Sequence, residues 1–110
     1  MPFYLFQGSY TSAAMNAMVE TPQDREAGAR HLIESVGGTM HQFFFCMGDN
    51  DVMAIAEMPN DEAMASCALA IGASGAFSAG KTTKLLTSAE GMAAMKGAQD
   101  ALAGYVPATG

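Results

Sequence analysis

Apolar residues form two short runs, over 40–47 and 52–58, on either side of the polar segment Gly48-Asp49-Asn50-Asp51. Two runs of this length joined by a four-residue polar turn are typical of a β-hairpin. Odd and even positions are both largely apolar, so both faces of the hairpin need a cover. The pattern therefore predicts helices of this chain on one face, and a second copy or a ligand on the other.

Periodicity and capping residues predict the elements before the hairpin. They are a strand over Phe3–Tyr10, a short helix after Thr11-Ser12 that ends near residue 18 or 19, and a helix over Pro22–Val36. Thr21 is the expected cap of the longer helix, with proline at its first position and Gly37-Gly38 at its end. In the first hairpin strand, strict alternation places Met40 on the same face as Gln42 and Phe44.

Similar signals predict the elements after the hairpin. Asn60 is the expected cap of a helix whose buried stripe contains Met64, Cys67, Ala68 and Ile71. A threonine-rich strand over Phe77–Leu86 follows, with Gly80 as a bulge or a point of close packing. A capping box of Thr87 and Glu90 opens a last helix over Ser88–Ala103.

The order of elements is strand, helix, strand, strand, helix, strand and an extra C-terminal helix. This order predicts an α+β, ferredoxin-like βαββαβ fold with a four-stranded antiparallel sheet and both helices on one face. We expect a single domain over residues 1–104 and a flexible tail over 105–110. The other face of the sheet would expose a large apolar patch. Two sheets packed face to face, as in a dimeric α/β barrel, would cover it.

Charge and composition narrow the classes of partner. The chain has 110 residues and a net charge of −6, and its five basic residues are scattered. This argues against binding to nucleic acid or to an anionic membrane. No stretch has membrane-spanning length and the N-terminus has no basic leader, so we expect a cytoplasmic protein. Cys46 and Cys67 stand apart, without the spacing of a metal or disulfide site, and no metal or cofactor is expected.

The segment Gly75–Thr82 matches the phosphate-loop pattern G-x-x-x-x-G-K-[ST]. That mechanism needs a strand before the loop and a helix after it. Here a helix precedes and a strand follows, so we interpret the match as coincidence.

Three groups of polar residues are candidates for chemistry. His41, beside Phe43 and Phe45, has the titration range of a general base, or it is a rim histidine with a satisfied hydrogen bond. Asp49 and Asp51 provide two neighbouring carboxylates, which can divide the acid and base roles of a reaction or bind a hard cation. The alternative is that their side chains only accept hydrogen bonds from backbone amides in the turn. Glu57, on an apolar strand, is expected to pair with Lys84 or Lys81 across the sheet or to lie on a barrel rim.

Aromatic residues suggest a ligand pocket between sheet and helices. Its expected lining is Tyr4, Tyr10, Phe43 and Phe45, with the tyrosine hydroxyls orienting a ligand. Asp51 and Lys84 are further polar candidates for this pocket. The alternative is that these aromatic residues pack only the core and an interface.

Several segments together resemble the GYD domain family. They are Phe3-Tyr4, Gly8-Ser9-Tyr10-Thr11, Thr21-Pro22, Gly37-Gly38, Gly48-Asp49-Asn50-Asp51, Ala56-Glu57-Met58-Pro59-Asn60-Asp61 and Lys81-Thr82-Thr83-Lys84-Leu85-Leu86-Thr87. The sequence departs from the family's Gly-x-Tyr-Asp turn, because Asn50 stands where the tyrosine is expected. The resemblance implies a dimeric α/β barrel. Its implication for activity is broader, because relatives of this barrel include cofactor-independent monooxygenases, isomerases and binding modules.

We therefore expect a homodimer, or a higher oligomer, that binds a small apolar or aromatic molecule in a cleft between sheet and helices. One alternative is a cofactor-independent monooxygenase- or isomerase-like enzyme on the same barrel, with His41 as its base. A second alternative is a purely structural or interaction dimer.

Overall fold

The computed structural model describes residues 1–109. Its elements are β1 (Phe3–Tyr10), α1 (Ser12–Glu20), α2 (Arg25–Ser35), β2 (Thr39–Phe45), β3 (Val52–Glu57), α3 (Asp61–Ala73), β4 (Phe77–Leu85) and α4 (Ser88–Gly104). The strands form one sheet in the order β2-β3-β1-β4, and all neighbouring pairs are antiparallel. This arrangement confirms the predicted α+β, ferredoxin-like fold. The expected tail over 105–110 includes residue 110, which lies outside the described residues.

Helix α2 begins later than the sequence predicted. Its cap is Asp24, whose carboxylate accepts the Ala27 N–H at 3.1 Å, and its first residue is Arg25. Thr21 instead closes α1, because its N–H donates to the Ala17 carbonyl at 2.9 Å. The expectation that Thr21 caps the longer helix is therefore wrong.

The predicted caps of α3 and α4 are confirmed. The Asn60 side chain accepts the Ala63 N–H at 2.9 Å. In α4 the Glu90 N–H donates to the Thr87 hydroxyl, and the Thr87 N–H donates to the Glu90 carboxylate. No residue of α4 is buried. The radius of gyration is 17.8 Å, against about 13 Å for a compact domain of this length. The fold is therefore extended, and α4 adds little to the core.

Strand β2 contains a β-bulge that changes its faces. Met40 pairs with Ala56, but Gln42 pairs with Ile55, so His41 is an extra residue in the ladder. As a result Met40 lies on the helix-covered face together with Phe43 and Phe45. The strict alternation that grouped Met40 with Gln42 is wrong at this point.

The core lies between one face of the sheet and the helices α2 and α3. It combines strand residues with residues from both helices, and its buried members are Tyr4, Ile33, Met40, Ala54, Ala56, Met58, Met64 and Cys67. In β4 the register shift falls opposite Ser9 and Tyr10, not at Gly80. Gly80 is instead a point of close packing, because a Cβ there would lie 3.3 Å from the Phe6 ring.

The other face of the sheet combines apolar and polar side chains. Alternation along the paired strands places Phe3, Leu5, Phe44, Met53, Ile55 and Leu85 there, together with Gln7, Lys81 and Thr83. Helices α2 and α3 pack on the opposite side and do not cover this face. Phe44 is 57% exposed.

Candidate functional site

A cleft of about 100 Å³ opens between the sheet and the helices α2 and α3. Its lining is mostly apolar, and its one charged member is Arg25. The aromatic members come from the strands and are Tyr4, Phe6, Tyr10, Phe43 and Phe77, and the others are Gly28, Ala29, Leu32, Ile33, Val52, Ala56, Met64, Cys67 and Ile71.

The aromatic side of the cleft is held by ring contacts between β1 and β4. The rings of Tyr10 and Phe77 have centroids 4.6 Å apart, and Phe6 meets Phe77 edge to face at 5.9 Å. Gly8 makes room for both phenylalanines, since a Cβ there would lie 2.7 Å from the Phe77 ring and 2.8 Å from the Phe6 ring. These contacts fix the shape of the cleft without filling it.

Arg25 and Tyr10 form the polar end of the cleft. The Arg25 guanidinium donates to the Gln23 side chain at 3.0 Å and lies over Gly28, where a Cβ would come within 3.2 Å of it. Burial raises the pKa of Tyr10 above its usual value, and the nearby positive charge of Arg25 opposes that rise. The phenol is therefore neutral at physiological pH and keeps its proton.

Tyr4 is engaged in a polar cluster at the edge of the cleft. Its hydroxyl donates to the Asp61 carboxylate, which also pairs with the Lys84 ammonium at 3.0 Å. Burial, followed by the hydrogen bond and charge of Asp61, raises the pKa of Tyr4 to about 12. Hydrogen bonds from Tyr4 and then Lys84 lower the pKa of Asp61. The cluster ties the start of α3 to β1 and β4, and Lys84 does not line the cleft.

His41 does not reach the cleft. Its Nε2 lies 3.0 Å from the Glu57 carboxylate and its ring lies 5.4 Å from that of Phe3, on the sheet face that α2 and α3 leave open. The expected pairing of Glu57 with Lys84 or Lys81 is wrong, because the bulge brings His41 to Glu57 and Lys84 pairs with Asp61.

The GYD domain family model matches residues 4–95. The chain belongs to the GYD domain family. No curated protein matches it. The crystal structure of MtbAldR is similar in fold, with a TM-score of 0.56 and 15% identity over 78% of this chain and 52% of that one. The chain therefore spans about half the length of MtbAldR.

A second solved structure is a mutant of MhuD with two manganese protoporphyrin IX bound per active site. It matches 80% of this chain and 95% of its own length at 15% identity, with a TM-score of 0.44. This likeness is too distant to carry an argument about the GYD-domain protein.

In this GYD-domain protein the turn that contains Asn50 is tied to β1. The Asp51 carboxylate accepts the Tyr10 N–H at 2.9 Å, and the Asp51 N–H donates to the Gly8 carbonyl at 2.9 Å. Asp51 therefore holds the end of β1 and does not line the cleft.

The two predicted phenylalanines differ in position. Phe43 lines the cleft, whereas Phe45 is 61% exposed and packs edge to face on Phe43 with centroids 5.8 Å apart. Phe45 also lies 6.5 Å from the Tyr10 ring, next to the cleft but not in its lining.

Sequence reasoning missed Arg25, Phe6 and Phe77 in the cleft. Arg25 precedes Ala29 and Leu32 by four and seven residues, so a cation on the apolar face of the predicted helix was the available signal. Phe6 follows Tyr4 by two residues and therefore lies on the same face of β1. This spacing was the available signal for Phe6. Phe77 comes near Tyr10 only through the pairing of β1 with β4.

The described residues also limit the kinds of site. Across residues 1–109, no group of three or more histidine, cysteine, aspartate or glutamate side chains is placed to hold a metal ion. In the same range, no helix combines the length and the apolar character needed to cross a membrane.

Proposed function

We propose that this GYD-domain protein is a homodimer that binds one small apolar or aromatic molecule per subunit in the cleft between the sheet and the helices α2 and α3. The observation that carries the proposal is the cleft itself, which is concave, lined mostly by aromatic and aliphatic side chains, and has Arg25 as its one charged member. Ligand sites in proteins commonly have this composition.

The size of the cleft supports a small ligand. Its volume is about 100 Å³, and apolar cavities of ~150 Å³ can hold one benzene ring. The cleft is smaller than such a cavity, so a single ring or a short branched chain is the upper limit for the apolar part of a ligand, and any polar substituent would extend towards Arg25 and Tyr10.

The open sheet face supports the dimer. Leu5 and Ile55 lie opposite each other at the centre of this face, and Phe44 adds an exposed ring. A second copy packed against this face would remove these side chains from water. The two cysteines are both free thiols, which supports the expected cytoplasmic location.

The enzyme alternative has less support from the geometry. His41, its expected base, lies on the other face of the sheet with Glu57. Tyr4 has a pKa of about 12, far from the neutral range in which a general acid or base works best.

Ligand-observed NMR measures the binding of benzene and toluene and so tests whether the cleft is a ligand site. The substitution Ala29→Phe would fill the cleft, whereas Ala27→Phe would add the same ring on the exposed side of α2, outside the lining. We expect the wild type and Ala27→Phe to bind toluene and Ala29→Phe to lose binding. Absence of binding to the wild type, or equal binding to both variants, would contradict the proposal.

Light scattering at micromolar concentration tests the dimer. We expect a mass of twice 11.4 kDa for the wild type. Ile55→Lys, on the open face, should give monomers, whereas Leu69→Lys, at an exposed apolar position of α3, should remain dimeric. A monomeric wild type would contradict the proposal.

A further inference from the structure

The Arg25 side chain lies at a position where its positive charge destabilises the helix. It has no ionic partner within residues 1–109. It is the first residue of α2, where the positive end of the helix dipole disfavours a cation. Across residues 1–109, the ion pairs of the basic side chains join Arg30 to Glu26, His41 to Glu57 and Lys84 to Asp61, and none involves Arg25. A charged group held in this way beside an apolar cleft is more typical of a binding site than of a stabilising contact.

The polar end of the cleft offers hydrogen-bond donors. The guanidinium has five N–H donors, and the one side-chain hydrogen bond it makes within residues 1–109 goes to Gln23. Tyr10 lines the same cleft and keeps its proton, so its O–H is a further donor. A ligand group that satisfies both residues must accept hydrogen bonds, and a negative charge would strengthen them.

We infer that the ligand is a small aromatic or short-chain apolar carboxylic acid, with its hydrocarbon part among the rings of the cleft and its carboxylate on Arg25. This inference rests on the proposed function and specifies its ligand class. A carboxylate matches the planar fork of a guanidinium and can accept two parallel N–H bonds from it. The cleft volume of about 100 Å³ limits the hydrocarbon part to a single ring or a short chain, with the acid side chain extending towards Arg25.

Gly28 contributes to this geometry. A Cβ at this position would lie 3.2 Å from one terminal nitrogen of Arg25 and 3.4 Å from its Cζ. The glycine therefore lets the guanidinium lie flat along the first turns of α2 and face the cleft.

Calorimetric titration with phenylacetate, its neutral isostere phenylacetamide, and toluene tests the inference. We expect the wild type to bind phenylacetate at least about tenfold more tightly than phenylacetamide, because hydrogen bonds to charged groups are the stronger ones. Arg25→Met should abolish this preference by lowering the affinity for phenylacetate to that for phenylacetamide. Arg30→Met, which removes a cation of the same helix outside the cleft lining, should behave as the wild type.

The outcomes separate this inference from the proposed function. If the wild type binds toluene but does not distinguish phenylacetate from phenylacetamide, the carboxylate assignment is overturned and the cleft proposal stands. A preference retained in Arg25→Met, or tighter binding of benzylphosphonate than of phenylacetate, would also overturn the assignment. If none of the probes binds the wild type, both proposals are overturned.

Discussion

The substitution Gly8→Ala should destabilise the protein through two aromatic rings. A Cβ at this position would meet the Phe77 ring at 2.7 Å and the Phe6 ring at 2.8 Å, well inside ordinary van der Waals separation. The backbone of Gly8 has no positive φ angle, so alanine introduces no backbone strain. The whole penalty therefore comes from moving two rings that also shape the cleft.

The magnitude follows from two opposing effects. Overpacking of a well-packed site costs about 1–3 kcal/mol, whereas replacing glycine by alanine recovers about 0.4–1 kcal/mol through the unfolded state. A net loss of about 1.5 kcal/mol lowers the Tm of a domain of this size by roughly 6–12 °C. Because both rings line the cleft, toluene affinity should fall as well.

Thermal unfolding followed by circular dichroism, at one fixed protein concentration, measures this effect. The matched control is Gly72→Ala in α3, where a Cβ would meet nothing within 4 Å. That change should stabilise the protein by roughly 0.5–1 kcal/mol, because glycine is unfavourable in a helix. A Tm of Gly8→Ala equal to or above that of the wild type would refute the reasoning.

Three further substitutions test the polar contacts. Asp51→Ala should cost about 1–3 kcal/mol in urea unfolding, because the Tyr10 N–H loses its acceptor, and Asp51→Asn should recover part of this loss; equal stability of all three proteins would show that the contact is dispensable. Thr87→Ala should weaken α4 by about 1 kcal/mol, seen as reduced helical circular dichroism at 222 nm, and an unchanged spectrum would count against the capping box. Asp61→Asn should lower the Tm most at neutral pH. The folded-state pKa of Asp61 is depressed, so its contribution is present above the unfolded pKa and is lost as the pH falls through the folded one. The Tm gap to the wild type should therefore close as the pH drops below 3.8, and a gap that does not change with pH would contradict this assignment.

Most of the fold could be predicted because its signals are local. The strand Phe3–Tyr10 and the caps Asn60 and Thr87 depend on residues within one turn or one strand. The prediction failed where a residue had two available uses. Thr21 could cap α2 or close α1, and the structure uses it to close α1. At His41 a β-bulge shifts the alternation of side chains between the two faces by one residue. No residue pattern in β2 indicates this bulge.

The candidate site was only partly predictable, because it depends on contacts far apart in sequence. Tyr4, Tyr10 and Phe43 were expected in the cleft and line it. Phe77 joins them only through the register of β4 against β1. Lys84 was expected there and instead pairs with the first residue of α3. Pairings of this kind are decided by the topology of the sheet, which composition and periodicity do not specify.

Native mass spectrometry of the freshly purified protein tests the central claim most directly, because it measures the assembly and any retained ligand together. The proposed function predicts a species of twice 11.4 kDa with the added mass of one small molecule per subunit, and loss of that added mass in Ala29→Phe. A bare monomer of 11.4 kDa as the only species would contradict it.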